Sequence, residues 1–116
     1  MKKRSMAFRP TKKTTNELMK AISNAVNPNE YYFTDHGDKR SKARKKVNDL
    51  EIIKILSGHD KWHETKRDKY VRNNNDWNYH VCEKNSDGDQ IRIVISFDHD
   101  GMPIITVINL DEEKDE

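Results

Sequence analysis

Two acidic, glycine-containing turns, Ser86-Asp87-Gly88-Asp89 and Asp98-His99-Asp100-Gly101, constrain this chain more than any other feature. Asp and Gly clustered between apolar runs mark tight strand reversals, because Gly accepts a positive φ and Asp bonds back to the turn. The flanking segments are strand-like: Trp77 to Glu83 before the first turn, Gln90 to Phe97 between the two, and Pro103 to Leu110 after the second. Three consecutive hairpin-linked strands are therefore expected. Lys61 to Arg72 alternates loosely, with Trp62, Glu64 and Lys66 on one side and His63, Thr65 and Arg67 on the other, until Asn73-Asn74-Asn75-Asp76 breaks it. It supplies a fourth antiparallel strand.

Upstream the apolar period changes to that of a helix. Thr14 or Thr15 can cap a segment in which Leu18, Met19, Ile22 and Val26 recur at helical spacing, ended by Asn27-Pro28. Tyr31-Tyr32-Phe33 leads into a further helix. Asn48 as N-cap with Glu51 makes a capping-box variant, Ile52, Ile53, Ile55 and Leu56 give a buried face, and Gly58 is a C-terminal cap. Helices that precede the strands, rather than alternate with them, imply an α+β fold: N-terminal helices, including a helical hairpin, packed on a four-stranded antiparallel sheet. With 116 residues, 33% of them apolar, one domain with a modest core is expected. Its parts are a flexible basic arm over 1–13, the domain over 14–110 and an acidic tail over 111–116.

The net charge of +2 conceals a strong polarity. Lys2, Lys3, Arg4, Arg9, Lys12, Lys13 and Lys20 crowd the N-terminus, Lys39, Arg40, Lys42, Arg44, Lys45 and Lys46 crowd the hairpin, and acid closes the chain. Such a body favours a polyanionic partner. Cys82 is the single cysteine, so no internal disulfide can form and a reducing compartment is the simpler assumption; a buried strand thiol and a catalytic one are both open. No apolar run is long enough for a bilayer, and no signal-peptide core follows Met1-Lys2-Lys3-Arg4. A cytoplasmic site of action without membrane attachment is the expectation.

His36, Arg40 and Arg44 recur every fourth residue, which aligns all three on one stripe of a helix. Arg offers a permanently charged fork that matches phosphate oxygens, and His is the side chain that titrates near neutrality. The stripe continues into Val47, the Asn48 cap with Asp49 and Glu51, the aliphatic run Ile52 to Leu56, and Gly58. In that order these residues resemble the helical hairpin, H-x3-R-x3-R, of a small-domain family in the RelE and BrnT toxin superfamily. Ile91 to Ile95 and Ile104 to Val107 resemble the last two strands of that family's antiparallel sheet. The chain departs from the pattern at Gly37 and at Lys45-Lys46. The resemblance implies a RelE-like fold and a toxin-type, metal-independent ribonuclease held by an antitoxin or immunity protein.

Cleaving RNA by 2′-hydroxyl attack needs a base, cations for the phosphorane and an acid for the leaving oxygen. His36, at a helix start where the dipole favours the neutral ring, is the expected base, Arg40 and Arg44 would bind the scissile phosphate, and His63 and Arg92 are added from the sheet. Lys39, Lys45, Lys46 and Arg67 would hold the RNA backbone. Strand alternation would put His63 and Arg67 on one face, and Arg92, between Ile91 and Ile93, would either reach solvent or face a cleft. Among Trp62, Tyr70, Trp77 and Tyr79, base stacking and core packing are both open, with Trp77 and Tyr79 assigned to RNA. Asp98-His99-Asp100 coincides with a turn and His59 with His63 straddles a helix end, so no metal and no cofactor is expected. The rival reading is a non-catalytic RNA-binding or protein-interaction module, for example a phage or host-takeover adaptor, on the same scaffold.

Overall fold

The computed structural model describes residues 10–34, 49–58 and 61–111. Within them the elements run α1 (Thr15–Val26), β1 (Tyr31–Phe33), α2 (Asp49–Ser57), β2 (Trp62–His63), a 3-10 turn (Thr65–Arg67), β3 (Lys69–Val71), β4 (Asp76–Lys84), β5 (Gln90–Ile95) and β6 (Met102–Asn109). The fold is α+β, as the pattern implies. Thr14 caps α1: its hydroxyl accepts from Glu17 N–H while the Glu17 carboxylate accepts from Thr14 N–H. That reciprocal box satisfies two amides that the first turn leaves orphaned. Asn48, the expected cap of α2, lies outside the described residues, as do His36, Lys39, Arg40, Arg44, Lys45 and Lys46.

The sheet is larger than expected and mixed in direction. Its order is β1-β6-β5-β4-β2, with β3 also paired to β4. Tyr31-Tyr32-Phe33 is a strand rather than a lead-in to a helix, and it pairs in parallel with β6 through Tyr31↔Met102 and Phe33↔Ile104. The apolar, β-branched and aromatic character of both partners favours that pairing. The single strand expected over 61–72 is divided into β2 and β3. Asp68 explains the break: its Oδ1 accepts from His80 N–H at 3.1 Å, while Glu64 N–H donates to His80 O at 2.8 Å. A side-chain carboxylate thus stands where a backbone carbonyl would continue the ladder, and the chain between them coils into the 3-10 turn.

One face of the sheet carries the core. Tyr79, Val81, Ile91, Ile93, Ile95, Met102, Ile104 and Val107 pack beneath Leu18 and Ile22 of α1 and Ile52, Ile55 and Leu56 of α2. Strand alternation makes Ile91, Ile93 and Ile95 one row, each fully buried. Each such side chain contributes roughly 1.5–3 kcal/mol through burial. The turn glycine Gly101 has φ +128°, and a Cβ there would meet Glu30 O at 2.3 Å, so the second hairpin can abut β1 only with glycine.

Residues 10–13, part of the expected basic arm, bond to the sheet. Trp77 Nε1–H donates to Pro10 O at 2.8 Å, Lys13 N–H donates to the Tyr79 hydroxyl at 3.0 Å, and Lys12 Nζ donates to Thr65 O at 3.0 Å.

Candidate functional site

The face of the sheet opposite the helices brings the polar chemistry together. Strand pairing sets Trp62 opposite Cys82, Cys82 opposite Arg92, and Arg92 opposite Ile108. Glu64, just past β2, meets Arg92 in a two-point bond, with Nε–H to Oε1 at 2.7 Å and the Nη2 group to Oε2 at 3.0 Å. Such a planar fork is the strongest geometry open to an ion pair. The hydrogen bonds from Arg92 hold the Glu64 carboxyl below its ordinary range against the upward pull of burial. Arg67 Nε approaches the same carboxylate at 3.6 Å with its side chain 56% exposed, whereas that of Arg92 is only 14% exposed. Arg92 therefore faces a cleft and does not reach past it to solvent.

This cleft, about 640 Å³, is lined by Trp62, Glu64, Arg67, Cys82, Gln90, Arg92, Leu110 and Asp111. Trp62 stands 70% exposed at its rim. Burial pushes the Cys82 thiol up, and Gln90 Nε2–H donates to its sulfur at 3.0 Å. A protonated, buried sulfur is a strand residue, not a nucleophile.

His80 lies next along the same face of β4, paired with Val94 and diagonal to Arg92. Its Nδ1 is buried and, among the described residues, has no hydrogen-bond partner. Burial draws the imidazole below its ordinary pKa, while the Asp68 and Glu64 carboxylates pull the other way. The net effect favours the neutral ring near pH 7. A buried polar atom without a partner is uncommon in a folded protein.

His63 is different. It faces the helices, not Arg67, because β2 ends at His63 and the 3-10 turn that follows carries Arg67 to the open side. Its Nδ1 sits 2.8 Å from the Thr15 hydroxyl and its Nε2 2.7 Å from Asp68 Oδ2, so both ring nitrogens are occupied. The Asp68 side chain is fully buried and is joined by Lys12 at 3.5 Å. His63 thus ties the start of α1 to the sheet, and its expected pairing with Arg67 is replaced by this relay.

Two aromatic assignments also change. Tyr79 is fully buried in the core, so its ring has no face left for a base. Trp77 is half-buried, spends its N–H on Pro10, and is flanked by Lys12 at 5.6 Å and Tyr70 at 5.9 Å. Trp62 is the exposed ring instead. Of the site residues expected from sequence, the fold brings Arg67 and Arg92 together through Glu64. The position of His80 on the face of Arg92 follows from the β4–β5 register.

Asp98 behaves as a turn residue: it accepts from the Tyr32 hydroxyl at 2.5 Å and from Asp100 N–H at 2.8 Å. Its hydrogen bond is the main reason the Tyr32 hydroxyl is pushed up to about 12. Among the described residues no three His, Cys, Asp or Glu side chains gather as a metal-ligand set, and no helix is long and apolar enough to cross a membrane.

No protein-family model, characterised protein or solved structure matches the chain.

Proposed function

We propose that this chain is a toxin-type, metal-independent ribonuclease on a RelE-like scaffold, cleaving RNA by attack of a 2′-hydroxyl on the adjacent phosphate. The observation that carries the proposal is the half-buried, unpartnered His80 imidazole beside a solvent-facing cleft bearing Arg67 and the Glu64–Arg92 pair. Neutral His80 accepts the 2′-hydroxyl proton, the 2′-oxygen bonds to phosphorus, and the bond to the 5′-oxygen breaks. The leaving oxygen takes a proton from an imidazolium, a role that His36 of the hairpin stripe fills. Products are a 2′,3′-cyclic phosphate and a 5′-hydroxyl. Arg67, Arg92, Arg40 and Arg44 offset the phosphorane charge, each such donor typically worth about 3 kcal/mol. Glu64 keeps the Arg92 fork in its plane. Lys39, Lys45 and Lys46 extend the basic surface along the RNA, and an antitoxin or immunity protein that blocks it carries complementary acid.

The strand–helix–meander order of the described residues supports the RelE-like assignment.

Incubation of the pure protein with total RNA, with and without chelator, tests the proposal. Cyclic phosphate ends, cleavage indifferent to chelator and its loss in Arg92→Ala are expected; 3′-hydroxyl ends or arrest by chelator refute it. Intact RNA favours the second reading, a binding module, which the charge-matched Glu64–Arg92 pair also suits because it leaves the cleft rigid and nearly neutral. The slope of affinity against salt then identifies the partner: roughly 0.7 log unit per phosphate contact for single-stranded RNA, near zero for an uncharged one.

A further inference from the structure

The cleft has two chemically different ends, and the second is not explained by phosphate. Arg67 and Arg92 place donors at one end. At the other, the polar groups are acceptors. Among the described residues Asp111 Oδ2 accepts from Gln90 N–H at 2.9 Å, and a carboxylate offers about four lone-pair positions. Gln90 commits its amide N–H to Cys82 sulfur at 3.0 Å, which leaves its carbonyl oxygen as the available atom. The Trp62 ring, 70% exposed, lines the same cleft and offers an apolar face beside these groups.

An aromatic platform beside the Arg67 and Arg92 guanidinium groups fits a nucleobase, and the acceptors decide which one. The Watson–Crick edge of guanine presents two adjacent donors, N1–H and the N2 amine, that match the two oxygens of one carboxylate. Adenine sets one donor beside one acceptor, cytosine one donor beside two acceptors, and uracil one donor between two acceptors. Each of those would bring an acceptor against the Asp111 carboxylate and leave it unpaired. A base held by this edge cannot be in a duplex, since pairing would consume the same atoms. The volume, about 640 Å³, falls in the range of pockets that take a nucleotide-sized ligand.

We infer that the cleft holds one unpaired guanine, stacked on Trp62 with its Watson–Crick edge on the Asp111 carboxylate, beside a phosphate at Arg67 and Arg92. The inference rests on the RNA reading above, and it makes Trp62 and Asp111 the specificity residues of that site.

The test measures binding, so it stands apart from catalysis. Hexanucleotides with a 2′-fluoro backbone lack the attacking hydroxyl and are not cleaved by the proposed route. Uridine hexamers carrying a single guanine, inosine, 7-deazaguanine, adenine or cytosine are titrated into the full chain, with the all-uridine hexamer as reference. Guanine and 7-deazaguanine should bind at least about tenfold tighter than the reference, and inosine, which lacks the N2 amine, should fall between. Asp111→Asn should reduce the preference for guanine over the reference hexamer to within about twofold. Trp62→Ala should weaken every hexamer about tenfold, as loss of one stacked base does. Equal affinity for all six hexamers, or a guanine preference that survives Asp111→Asn, overturns the inference. Cleavage of RNA without guanine preference would sink this subsite and leave the ribonuclease reading standing; guanine-selective binding without cleavage does the reverse. No binding of any hexamer sinks both.

Discussion

His63 and His80 share one carboxylate and sit on opposite faces of the same sheet. Asp68 Oδ2 is 2.7 Å from His63 Nε2, and its Oδ1 accepts the backbone N–H of His80 at 3.1 Å. On the covered face, His63 has partners at both ring nitrogens and packs edge-on against Tyr79 at 6.2 Å. On the open face, the His80 backbone is fixed while its Nδ1 has no partner. The same residue type therefore does two things: a histidine with both nitrogens engaged holds structure, and one whose backbone is held but whose ring is not can move a proton. Burial adds to the contrast by keeping His80 neutral and so able to accept one.

The largest test of that contrast is paired substitution. Gln replaces either ring with a side chain that bonds but does not transfer protons. His80→Gln should lower the cleavage rate by roughly 10²–10⁴, the usual worth of a positioned general base, with the thermal midpoint little changed. His63→Gln should lower the midpoint and keep turnover per folded molecule. Rates measured well below each midpoint separate the two, and an inactive, stable His63→Gln protein would reverse the assignment.

Asp68 should matter more to folding than any carboxylate of the open face. Asp68→Ala leaves the His63 ring and the His80 N–H buried without acceptors and detaches Lys12. Orphaned buried groups cost about 1–3 kcal/mol each, so a loss of roughly 3 kcal/mol and a fall in midpoint of the order of 10–20 °C is expected. Urea unfolding measures it. A loss no larger than that of a surface substitution, about 0.5 kcal/mol, would show that the relay does not hold α1 to the sheet.

What could be read in advance follows the range of the interactions. The α1 cap at Thr14, the apolar face of α2 and both hairpin turns depend on neighbours in the chain, and each is in place. The parallel β1–β6 pair joins residues 71 positions apart at Tyr31↔Met102, and nothing local announces it. The break at Asp68 was illegible for a related reason: alternation assumes a continuous ladder, and here one carboxylate from the chain replaces a rung. That single break sent Arg67 away from His63 and toward Arg92. Tyr79 and Trp77 show the limit of residue type, since an aromatic in a strand reads alike whether its ring ends in the core, as Tyr79 does, or at the rim of a cleft, as Trp62 does. The stripe of His36, Arg40 and Arg44 lies outside the described residues, so its part in the site rests on its spacing.

The smallest and most discriminating effect is the pH dependence of stability on the open face. Arg92 holds the folded Glu64 carboxyl below its reference value of 4.5, so the unfolded chain binds that proton more readily. The stabilisation from the pair is fully present above about pH 4.5 and is lost as pH falls through the lower folded value. His80 acts in the same direction from a higher starting point: burial lowers it from 6.5, so stability declines as pH drops below 6.5 until the folded ring is also protonated. Thermal midpoints between pH 3 and 8 should therefore fall in two stages on acidification. His80→Gln should remove the first stage and Glu64→Gln the second, the latter with an effect within about 1 kcal/mol because the pair borders solvent. The gap between parent and Glu64→Gln should close toward pH 3. A gap that widens instead would mean that Glu64 is protonated at neutral pH, and the Arg92 fork would then be available to a phosphate without competition.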